Sequence, residues 1–424
     1  MRRHDLAPRC LVMRILYINH YAGSPKHGME YRPYYLAREW VRSGHAVRML
    51  ASSFSHVRSA QPTSNGAEII NLTTEWIDGI EYEWYPTPAY KGNNIGRLRN
   101  IWTFLRQLWA GAKAVSRSFG PDVVVASSTY PMDIWAARRI ARISGAKLVF
   151  EVHDLWPLSP IELGGMSPHH PFIRLCQWAE DTAYRSSDVV ISMLPRVAEH
   201  MSAHGLDLRR LHVVPNGIDP DEWVAPSRIL REDVAEFIRA ERALGRVVVG
   251  YAGSHGVPNA LAYLVDAAIL LRSEEVSFAL VGDGMEKAGL QERASKAGLQ
   301  RVKMFEPIPK AQVPAFLSEI DIAYIGWLRS PIYRFGIAPN KLLDYMMSGR
   351  PVLHSVEAGN DPVAESGCGV TVAPQSASAI ADGVRRMMAL SVDERREMGA
   401  RGRAFAQAHH SYPVLARNFL EACA

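Results

Sequence analysis

The chain has 424 residues, 48% hydrophobic and 21% charged, with a formal net charge of +5; this composition excludes long disordered stretches, and the length asks for two α/β domains rather than one core. The mild positive excess suits a phosphate-bearing partner without naming it, and the lack of a long Lys/Arg run or an RNA-binding signature argues against nucleic acid. The four cysteines, Cys10, Cys176, Cys368 and Cys423, form no CxxC pair, which fits a reducing cytoplasm better than a disulfide framework or a zinc site.

No apolar run reaches the ~18–20 residues that span a bilayer, and the opening MRRHDLAPRCLV has no apolar stretch of signal-peptide length. Met13 reads as a true or alternative start, with residues 1–12 as a tail. Residues 13–22 (MRILYINHYA) then read as a buried parallel strand, residues 31–43 as a helix ended by Gly44, and HAVRMLAS as a second strand. This unit opens a doubly wound sheet. Residues 91–113 carry Lys91, Arg97, Arg99, Arg106 and Lys113 among Ile101, Trp102, Phe104, Leu105, Leu108 and Trp109. That is a basic amphipathic helix, either packed on the sheet or lying on an anionic membrane.

Strands follow at 122–127, 147–152, 188–192 and 211–214, with a helix at 131–144. The pattern restarts after a hinge at about 216–224, with strands at 247–252, 278–281, 302–305, 320–325, 352–355 and 370–372. The last helix, residues 392–423, is expected to bend at Tyr412-Pro413 and to cross back to the first domain. The expected domains are 1–218, 219–405 and this final helix from 406. Open α/β sheets bind ligands at the carboxyl ends of their strands, and two such halves facing across a cleft suit a reaction that joins two bound molecules.

The segment PIYRFGIAPNKLLDYMMSGRPVLHS combines a strand end, a loop with Gly336 and Pro339, and a helix from about Asn340. A helix N-terminus offers free N–H groups to phosphate. Lys341 in its first turn is disfavoured by the dipole unless an anion also sits there; Asp344, one turn on, could accept from a pair of ribose hydroxyls. The plain alternative is an ordinary helix with a solvent lysine. The segment resembles the donor motif of glycosyltransferase family 4, retaining enzymes of the GT-B fold. The second carboxylate of that family's Glu-x7-Glu pattern falls on Asp344, and the first is replaced by Gly336. The resemblance points to a bacterial surface-polysaccharide, N-acetyl-fucosaminyl-transferase-like subgroup whose loop reads PNKLLDYM.

The resemblance extends over nearly the whole chain from Met13. Gly253, Ser254 and Gly256 in Gly250-Tyr-Ala-Gly253-Ser-His-Gly256 resemble the second-domain phosphate loop. Gly282 and Gly284 flank a turn that resembles the segment beside the nucleotide base. Pro215-Asn216-Gly217-Ile218-Asp219 is similar to the family hinge, and Glu365-Ser-Gly-Cys-Gly369 to its closing turn. Donor contacts are thereby implied for Gly253, Ser254, Gly256, Gly282, Gly284, Arg334, Ile337, Ala338, Pro339, Asn340, Lys341, Leu342 and Asp344, with Arg329 and Arg334 as replacements for the family's missing basic residues. The loop Gly28, Met29, Glu30, Tyr31 and Arg32 would face the acceptor, Gly28 letting backbone approach the ligand. In Glu151-Val-His153-Asp154-Leu-Trp156-Pro157, His153 corresponds to the family's cleft histidine and Asp154 would orient it or bind acceptor hydroxyls. His153, Asp154 and Lys341 are the implied catalytic residues.

What the resemblance implies is transfer of an N-acetylated sugar from a UDP-sugar to a saccharide or polyprenyl-linked acceptor. The enzyme would be cytoplasmic, peripheral on the inner membrane through residues 91–113. No cofactor and no metal are expected: Asp219-Pro-Asp221 lies in the hinge with a proline between its carboxylates, and the histidines show no ligand spacing. A UDP-sugar 2-epimerase of the same fold and a non-catalytic nucleotide-sugar-binding module are the alternatives. An NAD(P) dehydrogenase is disfavoured because no GxGxxG lies in the first strand–helix turn.

Overall fold

The computed structural model describes residues 12–28, 31–64, 66–92, 95–224 and 229–424. The chain divides into two compact units, residues 1–215 with 412–424, and residues 216–411.

In the first unit the elements run β1 (Arg14–Ile18), α1 (Tyr31–Arg42), β2 (Ala46–Ser52), a small hairpin β3 (Thr63–Ser64) and β4 (Ala67–Glu68), β5 (Thr73–Ile77) and β6 (Ile80–Tyr85). They continue with α2 (Ile95–Phe119), β7 (Val123–Ala126), α3 (Asp133–Ser144), β8 (Lys147–Val152), α4 (Leu158–Glu162), α5 (Pro171–Ser186), β9 (Val189–Ser192), α6 (Ala198–Ala203) and β10 (Leu211–Val213). The sheet order is β10-β9-β8-β7-β1-β2-β6-β5. All pairs are parallel except β5 with β6. Runs such as VVVA in β7 are buried on both faces, as parallel strands between helices must be. Order reverses at β1, so the loops after β1, β7 and β8 emerge side by side at one end of the sheet.

The second unit runs α7 (Glu232–Ala243), β11 (Val247–Ala252), α8 (Leu261–Leu270), β12 (Val276–Val281), α9 (Lys287–Lys296), β13 (Val302–Phe305), α10 (Val313–Glu319) and β14 (Ile322–Gly326). It closes with α11 (Asn340–Ser348), β15 (Val352–Ser355), α12 (Pro362–Ser366), β16 (Gly369–Val372), α13 (Ala377–Met388) and α14 (Val392–His410). Its sheet is parallel throughout, in the order β13-β12-β11-β14-β15-β16. One face buries Val248, Ala279 and Ile325 with Phe316, Leu342 and Met346; the other buries Val249, Phe278 and Leu280 with Leu264 and Val384.

The expected bent terminal helix is two helices, α14 and a separate α15 (Tyr412–Cys423). The break falls at Ser411, whose backbone is extended (φ −71°, ψ 138°) and pairs with Ile218. Pro413 sits in the first turn of α15, where its missing N–H has no partner to lose. The last helix belongs to the first unit, as a packed element: the Trp40 indole donates to the Ala416 carbonyl at 3.0 Å, Phe419 lies edge-on at 5.0 Å, and Tyr412 stacks on Tyr35 at 4.7 Å.

Candidate active site

β11 and β12 end in register, Ala252 opposite Val281, so the turns that follow meet. Gly253 N donates to the Val281 carbonyl at 2.9 Å and His255 N to the Asp283 carbonyl at 2.7 Å. The packing has no room for side chains: a Cβ on Gly282 would sit 1.8 Å from the Gly253 carbonyl oxygen, and one on Gly284 2.5 Å from the His255 backbone. These glycines serve close approach of two backbones. His255 is buried beneath them, and among the described residues neither ring nitrogen has a partner. Loss of solvent lowers its pKa to about 4, helped by Lys287, so the ring is neutral. α8 begins only at Leu261, after a short 3-10 turn at Val257–Asn259. The Gly253–Gly256 amides are therefore not its N-terminus, which corrects the expectation of a direct strand–helix phosphate turn.

α11 supplies a helix start instead. Its N-cap, Pro339, offers no side-chain acceptor to the first-turn amides, which leaves them for water or a ligand. Asparagines hold the loop before it: Ile337 N donates to Asn360 Oδ1 at 2.7 Å and Asn360 Nδ2 to the Ile337 carbonyl at 3.1 Å. Asn216 Nδ2 donates to the Ala338 carbonyl at 3.2 Å and to Asn340 Oδ1. Tyr345 ties the helix to the end of β11, its hydroxyl accepting from Ala252 N at 3.0 Å.

Lys341 turns back over the β11 loop. Its Nζ donates to the Tyr251 hydroxyl at 2.7 Å and to Asn259 Oδ1 at 3.0 Å, and lies 4.4 Å from the Tyr251 ring centroid. Tyr251 passes its own proton to the Ser254 carbonyl at 2.7 Å. Among the described residues no carboxylate pairs with Lys341, and burial lowers its pKa to about 8. A desolvated cation beside an uncapped helix start is the combination that favours negative charge. Asp344, one turn on, is half-buried. Burial pushes its carboxyl up to about 7, partly opposed by Lys310, and among the described residues no hydrogen bond or ion pair holds it.

The first unit has a second polar cluster. Glu151, at the end of β8, is fully buried. It accepts from Arg32 Nε at 2.9 Å, from Ser127 Oγ at 2.6 Å and from the Tyr17 hydroxyl. Burial alone would raise its pKa; Arg32, His153 and Ser127 more than offset this and hold it well below the usual carboxylate range. His153 Nε2 lies 2.9 Å from Ser127 Oγ and 3.4 Å from Glu151. Its ring stays partly open to solvent, and Asp154 beside it is exposed.

The Glycosyl transferase 4-like domain model matches residues 27–217, and the Glycosyl transferases group 1 model matches residues 246–389. The chain is a glycosyltransferase of the family 4, GT-B type. "Probable glycosyltransferase WbjE" of Pseudomonas aeruginosa is 23% identical to this glycosyltransferase over 308 residues, 71% of this chain and 74% of the relative. "Putative colanic acid biosynthesis glycosyl transferase WcaI" of Escherichia coli is 24% identical over 304 residues, 68% of this chain and 73% of the relative. The crystal structure of Anabaena HepE in complex with UDP and glucose shares the GT-B fold, with a TM-score of 0.65 and 16% identity over 97% of this chain and 99% of that one.

In this glycosyltransferase, the second unit brings together Gly253, Ser254, Gly256, Gly282, Gly284, Ile337, Ala338, Pro339, Asn340, Lys341, Leu342 and Asp344. Leu342 is buried in the core, so only its backbone is free to meet a ligand. Arg334 stays exposed, stacked on Phe335 at 4.2 Å and donating to the Pro331 carbonyl. Arg329 pairs with Glu357 at 3.1 Å, so its charge is already answered. In the first unit, Met29 and Glu30 lie outside the described residues. Gly28 (φ +73°) is required by protein rather than ligand: a Cβ there would meet Ser59 Oγ at 2.3 Å. Arg32 is only 5% exposed, and its guanidinium also donates to the Val214 and Pro215 carbonyls. It therefore does not face an acceptor; it holds the Glu151 carboxylate in place. Tyr31 keeps a partly exposed ring beside Tyr35.

Tyr251, Asn259, Asn360 and the Tyr17–Ser127 pair were not anticipated; each is an ordinary polar residue whose role exists only through a distant partner. Asp219 of the Asp-x-Asp sequence accepts from Asp221 N at 3.2 Å, as a turn cap. Glu180, His200 and His204 bring ligand-type atoms within 4.8 Å of one another. Tyr184 and Gln177 already donate to Glu180, and His204 pairs with Asp181 at 3.0 Å, so this cluster fastens α5 to α6. Among the described residues no helix is long and apolar enough to cross a membrane.

Proposed function

We propose that this glycosyltransferase takes a sugar from a UDP-sugar, N-acetylated in the reading that the subgroup resemblance favours, and passes it with retention to a saccharide or polyprenyl-linked acceptor in bacterial surface-polysaccharide synthesis, at the cytoplasmic face of the inner membrane. The observation that carries the donor reading is the half-buried Lys341 ammonium beside the uncapped start of α11, with the Asp344 carboxylate one turn away, neither of them in an ion pair among the described residues. That is a diphosphate site next to an acceptor for ribose hydroxyls. HepE, of the same fold, was crystallised with UDP and glucose, and WcaI is named for colanic acid synthesis; both names agree with this reading.

As the bond between the anomeric carbon and the phosphate oxygen breaks, negative charge grows on the diphosphate and positive charge on the sugar. Lys341 and the first amides of α11 stabilise the leaving diphosphate. One of its oxygens takes the proton from the incoming acceptor hydroxyl on the same face, the new glycosidic bond forms there, and UDP departs. The positive groups do this without a metal. On the first unit, His153, its Nε2 side set by Ser127 and Glu151, is the group for orienting a sugar hydroxyl, with Asp154 beside it for the acceptor.

A thermal-shift panel tests this. A ligand that binds only the folded chain raises the melting temperature with its affinity. UDP and UDP-sugars should raise it, and GDP-mannose and NAD(P) should not. A shift by NAD(P) with none from any sugar nucleotide would sink the assignment. NMR of the product's anomeric carbon checks retention. Conversion of UDP-sugar without acceptor to a 2-epimer would favour the epimerase instead.

A further inference from the structure

A groove of about 890 Å³ lies on the outer side of α2, α3 and α5 in the first unit. Its floor is aromatic: Trp102 and Trp109 from α2, Trp135 from α3 and Trp178 from α5. Three of these rings are strongly exposed, Trp102 by 44%, Trp109 by 48% and Trp178 by 61%, and Trp135 and Trp178 lie 5.0 Å apart. The apolar face of α2 that carries Phe104 and Leu108 is buried on the domain, so the core does not account for these tryptophans. Soluble proteins rarely leave so contiguous an apolar surface uncovered.

The rim is cationic: Arg106 and Lys113 come from α2, and Arg138, Arg139 and Arg142 from α3. Among the described residues no acidic side chain lines the groove. Arg139 stacks over Trp109 at 4.7 Å, and among the described residues none of the five has an ion pair. Elsewhere in the same unit a buried arginine is answered, as Arg48 is by Glu81 at 2.8 Å and Glu83 at 3.0 Å.

We propose that this groove seats an anionic phospholipid at the surface of a bilayer. The acyl chain lies against the tryptophans, whose amphipathic rings suit the headgroup level, and the phosphate sits among the rim cations, which anionic lipid attracts. Charge decides against a second copy of the chain: a two-fold pairing of this patch would set five unpaired cations against the same five. The inference does not rest on the donor reading, because none of these residues belongs to the candidate active site.

Flotation of the full chain with vesicles tests it. At low salt the chain should float with vesicles containing one third phosphatidylglycerol and stay behind with pure phosphatidylcholine. Arg138→Glu with Arg142→Glu should lower partitioning about tenfold or more, since each Lys or Arg near an anionic surface contributes roughly fivefold. Trp178→Ala should remove most of the binding that survives ~1 M salt, where charges are screened beyond about 3 Å. Melting temperature and UDP binding should be unchanged in both variants; if the charge reversal lowers the melting temperature, Arg138→Gln with Arg142→Gln replaces it. Equal flotation of wild type and a folded charge variant would overturn the proposal. So would a concentration-dependent dimer that disappears in Trp178→Ala, which would assign the groove to a second copy.

Discussion

Glu151 in the first unit and Lys341 with Asp344 in the second are both charged groups drawn out of water, and they are treated in opposite ways. Every oxygen of Glu151 is answered, by Arg32, Ser127 and Tyr17, and Arg32 is answered in turn by two backbone carbonyls. Among the described residues Lys341 has only neutral partners, Tyr251 and Asn259, and Asp344 has none. A satisfied buried pair is part of the scaffold, and removing one member strands the other. An unsatisfied one costs stability in the free protein and regains it when a ligand supplies the missing charge. The contrast separates what holds this glycosyltransferase together from what is poised to bind.

The largest effect should come from the satisfied cluster. Glu151→Ala strands the Arg32 guanidinium and should cost about 3–5 kcal/mol in urea unfolding. Adding Arg32→Ala should cost much less than a second such penalty, because the two act as one unit. A loss below ~1 kcal/mol would show that the cluster is not structural. The sign with pH follows from the depressed carboxyl: its contribution is present above the unfolded carboxylate range near pH 4 and is lost as the pH falls.

Lys341→Met should do the reverse. The unliganded protein should melt at the same temperature or slightly higher, while turnover falls about 10²–10³-fold, the scale for losing one preorganised charge-stabilising donor. Initial rates and melting curves on the same preparation decide it; a destabilised but fully active variant would erase the distinction drawn here. Asp344→Ala should be smaller, weakening UDP about 10–100-fold by calorimetry through the loss of roughly 1.5–3 kcal/mol of charge-assisted hydrogen bonding, again without loss of unliganded stability.

The smallest and sharpest effect is on protons. With the Lys341 pKa lowered to about 8 in the free protein, donor binding that restores its charge should take up a proton near that pH. Affinity should be greatest between about pH 7 and 8, declining above as Lys341 loses its proton and below as Asp344 gains one. Calorimetry in buffers of differing ionisation enthalpy reads this uptake, which Lys341→Met should abolish. Asp344 also sets a pH dependence of the free protein: its pKa of about 7 lies above the unfolded value, so the stability linked to its bound proton is present below about pH 4 and is lost as the pH rises through 7.

Much of this architecture is legible without coordinates. Strands such as VVVA and VVVGYA are continuous apolar runs because helices cover both faces of a parallel sheet. The spacing of Lys341 and Asp344 in one helical turn is local, so it can be read directly. The hairpin of β5 and β6 escaped notice although its turn, Asp78-Gly79, has positive φ at both positions (49° and 79°), a sequence signal for a tight hairpin. The bend at Tyr412-Pro413 is legible from the proline, but its becoming a full break is not, because Ser411 is extended through its pairing with Ile218, some two hundred residues away.

Periodicity and helix-end chemistry, which depend on near neighbours along the chain, therefore determined two doubly wound units and one uncapped helix start carrying Lys341 and Asp344. Tertiary structure alone decided that Gly28 makes room for Ser59, that Arg32 serves Glu151, and that Lys341 is held by Tyr251 and Asn259. It also gathered four tryptophans and five cations from three helices around one groove. In each of these cases the partners are brought together by the winding of the sheet, and burial, which sets the energy of every charge, is a property of the folded whole.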